Sequence, residues 1–238
     1  MLQSAAVSDK LGIWDYIWLA VVFLSAIILH EIAHGVVALW NGDDTAKRAG
    51  RLTLNPIPHM DPLGTVFLIF VLIFHFGIGW AKPVPIDPRK FRNFRKGLFS
   101  VAIAGPLTNV ILAGISLAIA FVLIRGNFTF PGAETLVTEM FILNLLLASF
   151  NMIPVPPLDG SRIVASFLPP QAMRGYLSIE PYGIAIIIGL LILPIPFIHM
   201  APLQYGLRAM VEQYYNWFNG FIAAVSPTAM AGIGFCIR

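Results

Sequence analysis

Two histidines four residues apart with a glutamate between them, His30-Glu31-Ile32-Ala33-His34, are the side chains of this sequence best suited to chemistry. On a helix, positions i and i+4 share a face, so both imidazoles can bind one zinc ion. The carboxylate of Glu31 can then accept a proton from a water that such an ion activates. The pentapeptide sits inside an apolar run, about 13–40, that is long enough to cross a bilayer. Ionisable groups at membrane depth are costly, so three together imply a function, and the pattern reads as a metalloprotease site inside a membrane. The plainer reading, helix histidines satisfied by carbonyls, would still leave Glu31 in need of a buried partner.

Catalytic zinc takes three protein ligands and keeps one position open. The leading candidate for the third is Asp159, which follows Asn151-Met152-Ile153-Pro154-Val155-Pro156-Pro157-Leu158 and precedes Gly160. Prolines there interrupt helix hydrogen bonding and free carbonyls, a backbone tolerated at membrane depth only beside protein or water. Asp159 could instead cap the next helix. Asn109 and Asn151 are amides in apolar segments, able to donate to an oxyanion or a substrate carbonyl, or to tie helices together. His59 and Asp61, among prolines in a loop, could form an accessory metal site, orient other ligands, or be turn residues. His75 and His199 have no partner spacing and read as interfacial or packing residues.

The elements that must position these groups belong to a membrane protein. The 238 residues are 58% hydrophobic and 11% charged, with a mean hydropathy of +0.80. A soluble domain carries roughly 25% charged residues. The net charge of +3 resides at segment ends, which points to membrane topology and not to nucleic acid. The lone Cys236 allows no internal disulfide. A single membrane-embedded domain over 1–238 is expected, with a catalytic core at about 13–160 and C-terminal helices at about 161–238.

Apolar segments fall at about 13–40, 65–80, 98–124, 136–154 and 181–199, and a mixed aromatic and polar stretch at 203–225 suits an interfacial helix. Basic residues crowd the connections 41–64, 81–97 and 160–180, so all three are placed in the cytoplasm. Segment 65–80 lies between two inside loops and is short, so it should enter and return or lie in the cytoplasmic leaflet. The expected fold is therefore an all-α polytopic membrane protein with about four transmembrane helices and the N-terminus outside. A re-entrant or short segment, a small β-hairpin (Gly50–Leu54 with Trp80–Ile86) and an interfacial C-terminal helix complete it. This order brings Asp159 to the cytoplasmic side, where His30 and His34 lie. The Trp80–Ile86 edge could hold an unwound substrate by adding a strand.

The chain resembles the site-2 protease family, the intramembrane zinc metalloproteases of peptidase family M50, and in particular its small subgroup lacking PDZ and CBS domains. The matching pieces are His30-Glu31-x-x-His34, Gly105-Pro106-x-x-Asn109 and Asn151-x-x-Pro154-x-Pro156-Pro157-Leu158-Asp159-Gly160. Two more are Leu54-Asn55-Pro56 leading to His59-x-Asp61-Pro62-x-Gly64-Thr65, and Gly79-Trp80-Ala81-Lys82-Pro83-Val84-Pro85. The resemblance implies His30, His34 and Asp159 as ligands of one zinc per chain and Glu31 as general base. It also implies cleavage of a transmembrane protein substrate within the bilayer, most naturally the plasma membrane, with the active site towards the cytoplasm. A membrane metal transporter or sensor would need further polar sites along a path, and Asp15, Glu134, Glu139 and His199 are too scattered to form one. A non-proteolytic adaptor would not need the full set of four residues. A peptidase acting on prenylated or other membrane-associated peptides is a closer alternative.

Overall fold

A computed structural model describes residues 12–61, 82–192 and 202–225. Regular structure there is helical. The helices are α1 (Ile13–Trp40), α2 (Thr45–Arg48), α3 (Phe94–Arg125), α4 (Ala133–Asn151), α5 (Asp159–Phe167), α6 (Pro170–Leu177), α7 (Glu180–Ile192) and α8 (Pro202–Val225). Helices α1, α3 and α4 are long and apolar enough to cross a membrane. Large apolar side chains such as Ile111, Ile115, Val122 and Ile184 stay exposed, as expected where lipid is the solvent.

The helix ends follow from local chemistry. The Asp15 carboxylate reaches back to accept the Gly12 N–H at 2.8 Å, fixing the start of α1. The Asn93 side chain caps α3 by accepting the Lys96 N–H at 3.0 Å. At the other end of α1, the Asn41 amide donates to the Val37 carbonyl at 2.8 Å and to Ser100 Oγ at 3.0 Å. The last contact pins the C-terminus of α1 beside the first turns of α3.

Helix α3 is the centre of the bundle and packs against α1, α4, α5 and α8. Ala113 and Ala120 on α3, Phe141 and Ile142 on α4, and Tyr214, Phe218 and Ile222 on α8 form one buried cluster. The inner face of α8 is thus seated on the bundle, while Tyr205 and Trp217 remain exposed. Pro106 inside α3 has no N–H for the Ala102 carbonyl, which loosens the helix ladder beside the histidines of α1.

The expected segment 181–199 is seen over its described part as α7, 13 residues or about 20 Å long. Segment 65–80 lies outside the described residues, as do His75, Trp80, Ala81 and His199. Among the described residues there is no strand. The described part of the expected hairpin, Gly50–Leu54 and Lys82–Ile86, forms bends and irregular backbone instead. The reason is a shortage of free donors. Pro83 and Pro85 have no N–H, Lys82 N–H bonds the His59 carbonyl at 2.8 Å, and Val84 N–H bonds Glu31. The Arg51 guanidinium still ties the two stretches, donating to the Lys82 carbonyl at 2.6 Å.

Candidate metal centre

Helix α1 turns His30 and His34 towards α3. His30 Nδ1 donates to Asn109 Oδ1 at 2.5 Å, and His34 Nδ1 donates to the Val101 carbonyl at 2.7 Å. A carbonyl can only accept, so the proton of His34 resides on Nδ1 and its Nε2 keeps a lone pair. The two Nε2 atoms are 3.0 Å apart. Asp159 Oδ2 lies 3.1 Å from His30 Nε2 and 3.2 Å from His34 Nε2. Both histidines are buried.

Three acceptor atoms do not converge at this distance without positive charge among them. Nitrogen and oxygen ligands about 2.0 Å from a tetrahedral zinc would stand about 3.3 Å from one another, close to the separations seen here. The chemistry of the donor set, two imidazoles and a carboxylate, also suits zinc. His30, His34 and Asp159 are the one group of this kind among the described residues, so they fit the metal on geometry and chemistry.

Glycines make the convergence possible. A β-carbon on Gly105 would overlap Nε2 of both His30 and His34, so α3 reaches the imidazoles only because no side chain intervenes. Gly160 sits against the Met152 and Ile153 carbonyls, which lets the chain fold back after α4 and deliver Asp159 at the first position of α5.

Glu31 lies one residue from His30 on the wall of a cavity of about 300 Å³. His30, His34, Asn151, Asp159 and Arg162 also line it, with Val84, Phe91 and Leu98 as apolar walls. Glu31 Oε2 accepts the Val84 N–H at 2.8 Å, which supplies the partner a partly buried carboxylate needs. Asn109 is fully enclosed and touches His30, whereas Asn151 lines the cavity and donates to the Leu147 carbonyl of its own helix at 3.0 Å. His59 is buried apart from the cluster, with Nε2 donating to the Thr53 carbonyl at 2.9 Å. Neither His59 nor Asp61 joins the three-residue group.

Two residues at the centre escaped the sequence reading. Asn144 is 1% exposed and accepts from the Asn109 amide at 2.8 Å. The signal was available: an amide two helical turns before Asn151 on the same apolar helix. Arg162, one of the basic residues of the connection 160–180, follows Asp159 by three residues, shares its helix face, lines the cavity and pairs with Glu180 at 3.4 Å.

Comparison with known proteins fits this geometry. The family model described as Peptidase family M50 matches residues 121–194. The candidate zinc metalloprotease YwhC of Bacillus subtilis (strain 168) is 37% identical over 183 residues, covering 75% of this chain and 81% of the relative. Rip2 of Mycolicibacterium smegmatis, another candidate zinc metalloprotease, is 27% identical over 88% of this chain and 76% of its own length. The zinc metalloprotease MJ0392 of Methanocaldococcus jannaschii is 30% identical over 67% of this chain but only 36% of its own length. No solved structure matches. An all-helical, lipid-facing bundle with a His-His-Asp cluster thus defines a membrane zinc metalloprotease. The chain belongs to peptidase family M50, the site-2 proteases.

Proposed function

We propose that this protein is an intramembrane protease that hydrolyses peptide bonds within transmembrane segments of other membrane proteins. One observation carries the reading: Asp159 Oδ2 stands within 3.2 Å of both imidazoles of an apolar, membrane-length helix. In this reading His30, His34 and Asp159 hold a single zinc, and Glu31 is the general base. The whole chain, 1–238, acts as one membrane-embedded domain.

When bound, zinc supplies Lewis acidity, polarising the scissile carbonyl and lowering the pKa of water to about 7. Glu31 accepts the proton of the attacking water, held in place by the Val84 N–H. As the new C–O bond forms and the C–N bond breaks, Glu31 returns that proton to the leaving amine. The Asn151 amide, on the cavity wall, is placed to donate to the carbonyl oxygen as it gains charge, while Asn109 supports the site through His30. His59 and Asp61 lie outside the three-residue group and are read as accessory residues only.

Orientation follows from what shares one end of the bundle. The C-terminus of α1 meets the start of α3 through Asn41 and Ser100, and the end of α4 returns Asp159 to α1. That end carries Arg89, Lys90, Arg92, Arg95 and Lys96, so it faces the cytoplasm and the N-terminus lies outside. The segment Lys82–Ile86 borders the cavity, and an unwound substrate is read as lying beside it.

The test is Glu31→Gln in the full-length protein in detergent or liposomes. Zinc content should stay near one per chain while turnover of a single-pass substrate falls about 10²–10⁴-fold. Cleavage at the wild-type rate would overturn the assignment.

A further inference from the structure

Beyond the cavity, the described membrane interior contains a polar chain built on the buried Asn144, which the hydrolytic step does not use, and Asn109. It starts at the Met140 carbonyl, which accepts from Asn144 Nδ2 at 2.8 Å. Because that carbonyl can only accept, the amide of Asn144 is oriented with its oxygen pointing the other way. Asn144 Oδ1 then accepts from Asn109 Nδ2 at 2.8 Å, and the Ala26 carbonyl accepts from the same nitrogen at 3.2 Å. With its NH₂ held by two acceptors, Asn109 must present Oδ1 to His30, whose Nδ1 lies 2.5 Å away. The Nδ1 atom therefore carries the imidazole proton, and Nε2 is left with its lone pair directed at His34 Nε2 and Asp159 Oδ2.

We propose that Asn144 is a positioning residue for the metal centre: acting through Asn109, it sets the His30 tautomer that leaves Nε2 free to bind zinc. The inference rests on the reading of His30 as a zinc ligand and adds a residue that touches neither metal nor substrate. His34 needs no such device, because a backbone carbonyl already fixes its proton on Nδ1. His30 faces an amide, which could rotate by half a turn and present NH₂ instead. Asn144, by the shorter of the two bonds, works with the Ala26 carbonyl to remove that choice. Its burial at 1% exposure, beside Asn109 at 0%, leaves no water to substitute for it.

A leucine at 144 would preserve the volume and the packing of α4 in lipid but would abolish the acceptor. A neutral aspartic acid would reproduce the asparagine pattern, since its O–H can donate to the Met140 carbonyl while its C=O accepts from Asn109. Burial in an apolar surround favours the neutral form.

The experiment measures zinc affinity by chelator competition, and the visible absorption of the cobalt(II)-substituted protein, for full-length wild type, Asn144→Leu and Asn144→Asp. Asn144→Leu should lose about 10–100-fold in zinc affinity with an altered cobalt spectrum, and Asn144→Asp should stay within about threefold of wild type. If Asn144→Leu does not fold, Asn144→Ala takes its place with the same expectation. A folded Leu or Ala variant that binds zinc like wild type overturns the inference, as does loss of zinc in Asn144→Asp. His30→Ala separates the two levels. If it loses zinc while the Asn144 variants do not, the metal site stands and the positioning role falls. If it retains zinc, the metal-site reading itself has failed.

Discussion

Gly105 faces His30 so closely that its Cα hydrogen occupies the space a methyl group would need, against Nε2 of the imidazole. Alanine is the better helix former by about 1 kcal/mol, so α3 in isolation would favour Gly105→Ala. Tertiary packing should reverse that preference. The variant is expected to fold with wild-type helicity by circular dichroism, yet lose most of its zinc by elemental analysis and at least 100-fold in proteolysis. Full zinc occupancy would show that the imidazoles can step aside.

Removing the carboxylate should uncouple metal from stability. A ligand that binds only the folded state stabilises it by about 2.7 kcal/mol at 100 times its dissociation constant. A zinc chelator should therefore lower the wild-type unfolding temperature by several degrees. In Asp159→Ala the zinc-dependent part is absent, and the chelator should shift nothing. An equal chelator shift in both proteins would place the metal elsewhere.

Among the described residues, the Val84 N–H is the one donor seen on Glu31 Oε2. Val84→Pro abolishes it within a stretch already interrupted by Pro83 and Pro85. Turnover should fall by about tenfold, consistent with the loss of one positioning hydrogen bond, while zinc content holds. Steady-state kinetics with parallel metal analysis provide the check, and unchanged kcat would mean that Glu31 is oriented without its neighbour.

Acid stability has a separate origin at Asp43, a fully enclosed carboxylate just past α1. Burial pushes it up, but the Thr45 hydroxyl, the Asp87 N–H at 2.7 Å, the Thr45 N–H and the Lys90 ammonium together hold it below its ordinary value. The sign follows from linkage. A lowered folded-state pKa favours the folded protein at all pH above the unfolded value of about 3.9, and the benefit disappears as pH falls through the folded value. Asp43→Asn should thus be less stable than wild type near neutrality. The difference should shrink below about pH 4, as read from thermal unfolding in detergent between pH 3 and 7. A constant difference across that range would contradict the charge argument.

Much of the chemistry was legible in the one-dimensional pattern because helix geometry is local. His30 and His34 at i and i+4 need only a helix to share a face, and the basic residues at the membrane edge put Asp159 on their side. The same locality located α1, α3, α4 and α8 to within a few residues at most ends, since apolar length and basic flanks report directly on lipid. The strand pairing expected of Gly50–Leu54 and Trp80–Ile86 went unseen in its described part because the donors had other partners, His59 and Glu31, that no spacing rule reveals.

What tertiary structure alone decided is direction. Composition marks Asn109 and Asn144 as amides in lipid but cannot say that one orients the other, or that both act on His30. It names Gly105 without showing the imidazoles against it, and Arg162 without showing that it lines the cavity. Each of these depends on contacts between segments far apart in the chain, where the energy of a polar group is set by whichever acceptor or void the packing of α1, α3 and α4 brings to it.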